Sequence, residues 1–177
     1  MNYATIKWRD IANGPGIRVS LFVSGCRHHC KGCFNPETWD FGYGKPYTVE
    51  VQNELLKGLE RSYIRGLTLL GGEPFEPENQ PAMLGLTNVV RQNFPSKSIW
   101  CYTGYSLEDD ILSGKLGDGS LTMELLKNID VLVDGEFHIE EKNPSLRFRG
   151  SENQRLLDIP LTLRAGTAVL WDGREEP

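Results

Sequence analysis

Apolar and polar positions along this chain switch repeatedly between a strand-like and a helix-like period. Ile17 to Ser24 is an apolar run rich in β-branched residues, preceded by the turn-forming Asn13-Gly14-Pro15-Gly16, and it predicts a strand. Thr48 to Tyr63 follows the helical period, with Thr48 as the cap and Leu55, Leu56 and Leu59 on a core-facing side. Gly66 to Leu70 predicts a second strand, running into Gly71-Gly72-Glu73-Pro74-Phe75. A second helix follows over Met83 to Phe94, with Leu84, Leu86, Val89 and Val90 apolar and Arg91 and Gln92 exposed. Ser98 to Tyr102 is a third strand, closed by Thr103-Gly104-Tyr105. Ser106 to Leu116 predicts a short helix and a loop, Leu121 to Asn128 a brief helix, and Ile129 to Phe137 a further strand with Asp134 at its C-terminal end. Asn143 to Leu157 is polar and reads as solvated surface, whereas Ile159 to Trp171 alternates enough for one or two strands.

Strand and helix taken in turn imply right-handed parallel crossovers, hence an α/β fold with parallel strands whose C-terminal ends share one rim. The segments after the first three strands all fall on that rim, where sites in parallel α/β folds are built. The chain has 177 residues, 39% of them hydrophobic, which suits a single domain with a proper core. Net charge is −5 and no basic tract occurs, so the footprint of a nucleic-acid binder is missing. The N-terminus lacks the apolar core of a signal peptide, and no apolar run reaches membrane-spanning length, so the expected location is the cytoplasm. Cysteines there stay reduced, which suits metal ligation.

Three of the four cysteines, Cys26, Cys30 and Cys33, lie in CRHHCKGC directly after the first strand. Thiolates at such spacing favour zinc or iron–sulfur. A closed zinc site or an ordinary cubane takes four protein ligands, so three leave one coordination position open, as in catalytic sites. Two other readings remain: a zinc knuckle completed by His28 or His29, and a disulfide with one thiol left over. Cys101, in the apolar SIWCYTG, reads as a buried small hydrophobe. Gly71 and Gly72 at a strand end would let a ligand approach bare backbone with amide and carbonyl groups free to bond it. Glu73 either meets that ligand or caps the turn, and Asp134 before Gly135 is a turn former as well as a rim carboxylate. Trp39, Phe41 and Tyr43 lie in a Gly-rich loop that either shields the cysteines or covers a core edge.

CxxxCxxC after a first strand, with GGEP one helix and one strand later, resembles the radical S-adenosylmethionine enzymes. That resemblance implies a 4Fe-4S cluster on Cys26, Cys30 and Cys33, with S-adenosylmethionine chelated to the fourth iron and its amino group received by Gly71, Gly72 and Glu73. Many members carry an aromatic residue just before the third cysteine; here Gly32 holds that position and Phe34 is the nearest aromatic for the adenine. The acidic Asp134 corresponds to a residue near the ribose or a carboxylate-side cation. NGPGIR resembles the start of the glycyl-radical activating enzymes, and its Asn13 leans toward the activators of anaerobic ribonucleotide reductases, in which RGS-x-NQR resembles RGSENQR at Arg149 to Arg155.

Taken over residues 1–157, the resemblance implies an incomplete TIM-type βα barrel, with a C-terminal extension over 158–177 of no assigned role. It implies reductive cleavage of the cofactor to a 5′-deoxyadenosyl radical that makes a glycyl radical on the large subunit of the reductase. A donor such as flavodoxin would supply the electron. Rival readings are a pyruvate formate-lyase activator, a 7-carboxy-7-deazaguanine synthase, a non-catalytic iron–sulfur electron carrier and a zinc-stabilised binding module.

Overall fold

A computed structural model describes residues 1–173; the end of the extension, 174–177, lies outside the described residues. The strands are β1 (Asn2–Asp10), β2 (Ile17–Val23), β3 (Lys45–Pro46), β4 (Ile64–Gly71), β5 (Ser98–Tyr102), β6 (Val131–Asp134) and β7 (Arg155–Asp158). They form one sheet in the order β3-β1-β2-β4-β5-β6-β7. Helices α1 (Val49–Leu59), α2 (Gln80–Asn93), α3 (Gly119–Lys127) and α4 (Ile159–Ala165) complete the mixed α/β fold. The central strands β2, β4, β5 and β6 are parallel, as their helical crossovers require. The outer strands are not: β1 pairs antiparallel with β2 and β3, and β7 antiparallel with β6, which corrects the expectation of parallel strands throughout.

Strand periodicity sorts the side chains onto two different faces. Val19, Leu21, Val23, Leu67, Leu69, Ile99, Cys101, Leu132 and Leu157 join the core that α1, α2 and α3 cover with residues such as Leu55, Leu59, Met83, Leu86 and Leu125. Their alternates Trp100, Val131 and Val133 form a second cluster on the opposite face, with Tyr102, Phe148, Leu156 and Trp171 packed against it. Advancing one strand at a time with one crossover hand puts the helices on one face, leaving the other for chemistry. Arg18 is fully buried and donates from Nε to Thr68 Oγ1 and from Nη2 to the carbonyls of Leu67 and Ser98, so it ties β2, β4 and β5 together.

Several element bounds move for local reasons. Thr48 caps α1 as expected, accepting from the Val51 amide. Helix α2 starts at Gln80, before the expected Met83, with Pro81 in its first turn where a missing amide costs nothing. Arg91 is not simply exposed: its Nη2 lies 2.7 Å from Asp130 Oδ2. The strand or strands expected over Ile159 to Trp171 are instead mostly helix α4, because Asp158 caps the Leu161 amide and Pro160 suits a first turn; only a bridge between Leu157 and Leu170 is strand-like. The polar stretch 143–157 is likewise not all solvated surface, since its end forms β7.

Candidate functional site

The rim where the parallel strands end encloses a cavity of about 510 Å³. From the loop after β2 come Cys26, Cys30, Cys33 and Phe34; from the end of β4 come Gly71, Gly72 and Glu73. Thr103 and Gly104 follow β5, and Gly135 and Phe137 follow β6. The three clustered cysteines therefore share one cavity. Gly32 and Asp134 are not among the residues lining it.

The donor set fits an iron–sulfur cluster. All four cysteines are free thiols. A single zinc would require every ligand to reach the same atom at about 2.3 Å, whereas in a four-iron cluster each cysteine serves a different iron. The zinc-knuckle rival also lacks its histidine: His29 stacks on Trp39 at 4.7 Å between ring centroids, and His28 faces carboxylates. Burial pushes the Cys26 thiol up to about 12, with the charge of Glu73 adding to it, and burial raises Cys30 as well. A soft metal's charge reverses that balance and strips the proton. The Asn35 amide donates to Cys33 Sγ at 3.4 Å, the kind of contact that tunes such sulfurs. Cys101, 0% exposed, lies in the helix-side core, on the opposite face of β5 from Trp100 and Tyr102, as its apolar context implied.

The two glycines pack closely against neighbouring backbone as well as lining the cavity. Gly71 has φ +109°, and a Cβ on Gly72 would stand 2.6 Å from the Gly25 carbonyl oxygen and 2.9 Å from that of Thr38. The amides of Gly72 and Glu73 are not free for a ligand, since they donate to the carbonyls of Val23 at 2.7 Å and Gly25 at 2.8 Å. These bonds fasten the cysteine loop to the end of β4. Glu73 is 1% exposed and caps its own turn: Oε1 accepts from the Phe75 amide, and Oε2 from the Gly104 amide at 2.7 Å.

His28 is the residue that sequence reasoning missed. A loop position would leave it solvated, yet it is only 10% exposed, with Nδ1 2.8 Å from Glu136 Oε1 and Nε2 3.3 Å from Glu73 Oε2. Burial opposes a charge on it, yet the two carboxylates outweigh burial and lift its pKa to about 9. Nothing in CRHHC separates His28 from His29, because their partners lie far along the chain. Beside it, Arg27 pairs with Glu76, which is fully buried, and with Glu78, and covers the ring of Phe41 at 4.5 Å.

Asp134 and RGSENQR belong together. Asp134, 1% exposed, accepts from the Leu107 amide at 3.0 Å and from Arg155 Nε at 3.0 Å, and Arg155 also holds Glu108. Both Asp134 oxygens are thereby engaged by protein donors, and Asp134 acts as part of the frame. Gln154 donates to the Gly135 carbonyl and accepts from the Gly150 amide, Asn153 donates to the Glu136 carbonyl, and Arg149 donates to the Gln154 carbonyl. The motif thus knots the segment after β6 to the segment before β7, bringing Arg149, Gly150 and Gln154 to the cavity wall.

Comparison with known proteins agrees with this geometry. Residues 12–157 match the family model described as a 4Fe-4S single cluster domain. An anaerobic ribonucleoside-triphosphate reductase-activating protein of Enterobacteria phage T4 is 44% identical over 158 residues, covering 88% of this chain and 93% of that protein. Its namesake in Vibrio cholerae is 45% identical over 156 residues (87% and 96%), and that of Escherichia coli K12 41% over 156 residues (87% and 96%).

Proposed function

The chain belongs to the anaerobic ribonucleoside-triphosphate reductase-activating proteins, built on a 4Fe-4S single cluster domain, and from that premise we propose that it is the enzyme that activates such a reductase by radical S-adenosylmethionine chemistry. The observation that carries the reading is the convergence of Cys26, Cys30 and Cys33 with Gly71, Gly72 and Glu73 on one cavity at the strand ends. Cys26, Cys30 and Cys33 would hold the cluster, leaving one iron without a protein ligand. Phe34 stands 5.1 Å from Phe137 between ring centroids, and both line the cavity as an apolar surface for the adenine. Glu73 would receive the amino group, with Gly71 and Gly72 fixing the wall beside it and Gly32 shaping the cysteine loop; Asp134 acts through Arg155 on the frame. When bound, the cluster and cofactor supply one-electron reductive cleavage of the sulfonium, giving methionine and a 5′-deoxyadenosyl radical that takes a hydrogen from a glycine of the reductase. The chain's own part is to bind, orient and exclude water, since the cofactor carries the difficult chemistry.

The one-sided winding of the sheet supports a partial βα barrel over residues 1–157, with 158–177 as an appendage whose Trp171 packs on Trp100 and Phe148. The large subunit of the reductase is the partner, and a flavodoxin-type protein is the proposed electron donor, with action in the cytoplasm. Among the described residues, no helix is long and apolar enough to cross a membrane.

The deciding experiment is S-adenosylmethionine cleavage by anaerobically reconstituted, dithionite-reduced protein, with a Cys30→Ala control. Methionine and 5′-deoxyadenosine appearing only with intact cysteines support the proposal. A reduced, iron-replete protein that neither binds nor cleaves the cofactor leaves the electron-carrier reading in its place.

A further inference from the structure

Four loops of the rim meet at a single ring. His28 sits between Cys26 and Cys30, and its two nitrogens face Glu136, after β6, and Glu73, after β4. The ring meets Tyr105, after β5, edge-on at 4.4 Å between centroids. Gly104 makes the approach possible, because a Cβ there would stand 2.6 Å from the ring. Each Glu73 oxygen accepts one backbone amide, Oε1 from Phe75 and Oε2 from Gly104, and His28 Nε2 stands 3.3 Å from Oε2 at ion-pair distance, without a hydrogen bond to it. An ionised carboxylate offers about four acceptor sites. Two are taken by backbone amides, and Glu73 lines the cavity, so acceptor capacity remains for a donor there.

We propose that His28 is a positioning residue for cofactor binding: it holds Glu73 in the orientation that presents its remaining acceptor site to the cofactor's amino group, and locks the cysteine loop to the loops carrying Glu73 and Glu136. This rests on the S-adenosylmethionine reading above. A carboxylate that must receive an ammonium group binds best when its orientation is set beforehand, so that none has to be arranged on binding. Without the imidazole, Glu73 keeps its two amide donors but loses the ring nitrogen standing 3.3 Å from Oε2, and the cysteine loop loses its contact to Glu136.

The test is equilibrium dialysis of S-adenosylmethionine against anaerobically reconstituted protein, with iron content and thermal midpoint measured alongside. His28→Phe keeps a ring against Tyr105 and Gly104 but removes both nitrogens. It should keep its iron and lose about tenfold in cofactor affinity, the scale of the hydrogen bond between Glu73 and the charged amino group that is no longer set beforehand. The reduced cluster's EPR signal should respond to added cofactor less than that of the unmodified protein. Glu136→Gln, at a half-exposed side chain, should weaken binding by about threefold alone and add nothing to His28→Phe, because the two act through one contact. An iron-replete His28→Phe that binds the cofactor with unchanged affinity overturns the proposal. If His28→Phe loses its iron, Glu136→Gln decides, and unchanged affinity there overturns it equally. Unmodified, iron-replete protein that binds no S-adenosylmethionine overturns the parent reading and this inference together.

Discussion

Gly72 shows how a single hydrogen atom can be the functional feature of a residue. Because a Cβ there would meet backbone oxygens of Gly25 and Thr38, which cannot rotate away, Gly72→Ala should displace the cysteine loop from β4. Reconstituted Gly72→Ala is expected to hold less iron and to cleave less cofactor, as measured by iron assay and product chromatography. Asp134 makes the opposite case. Its burial and its bonds to Arg155 and Leu107 make it a frame residue, so Asp134→Asn should lower the unfolding free energy read from urea denaturation by about 2 kcal/mol, less than a fully buried broken pair costs, because Arg155 is partly exposed. Cofactor affinity, measured by dialysis, should not change. The cysteines and GGEP were legible as a site because their spacing is local. His28 was not, since its meaning comes from Glu73 and Glu136, 45 and 108 positions away.

Among the elements, β5 decides the fate of the fourth cysteine. Alternation along Ser98–Tyr102 turns Trp100 and Tyr102 to one face and Cys101 to the helix-covered core, so Cys101 cannot reach the cavity lined by the other three cysteines without reversing the strand. Cys101→Ala should retain full iron content and cost about 1 kcal/mol of stability, the price of a small buried group, as read from denaturant unfolding. Helix α4 is the element that alternation misread. Its residues Leu161 and Leu163 are partly exposed and mimic a strand pattern, but Asp158 and Pro160 start a helix regardless. Strand β1 escaped notice for a related reason: it is paired on both sides by β2 and β3, while all its residues but Asp10 are partly buried or exposed, so its apolar signal is weak.

For the whole molecule, the helices cover one face of the sheet and the other carries the cavity at one end and an aromatic plug below it. Trp171 meets Trp100 edge-on at 5.0 Å between centroids and lies 6.3 Å from Phe148. Trp171→Ala should cost about 2 kcal/mol, below the range for a fully buried aromatic because Trp171 is only half-buried. Thermal melting should show that loss, while iron content and cofactor cleavage stay near those of the parent protein, since Trp171 does not line the cavity.

The sequence by itself determined the central parallel elements, the cysteine and GGEP loops at their C-terminal ends, and Cys101 as a core residue. Periodicity, capping and spacing are local properties, and a chain displays them before it folds. Only the tertiary structure decided that the outer strands run antiparallel, that the Glu73 amide fastens the cysteine loop to the end of β4, and that RGSENQR is a knot around Asp134 and Gly135. It alone set His28 between two carboxylates. Each of these depends on partners distant along the chain, and which distant groups meet is fixed by strand order and crossover hand, which no local pattern records.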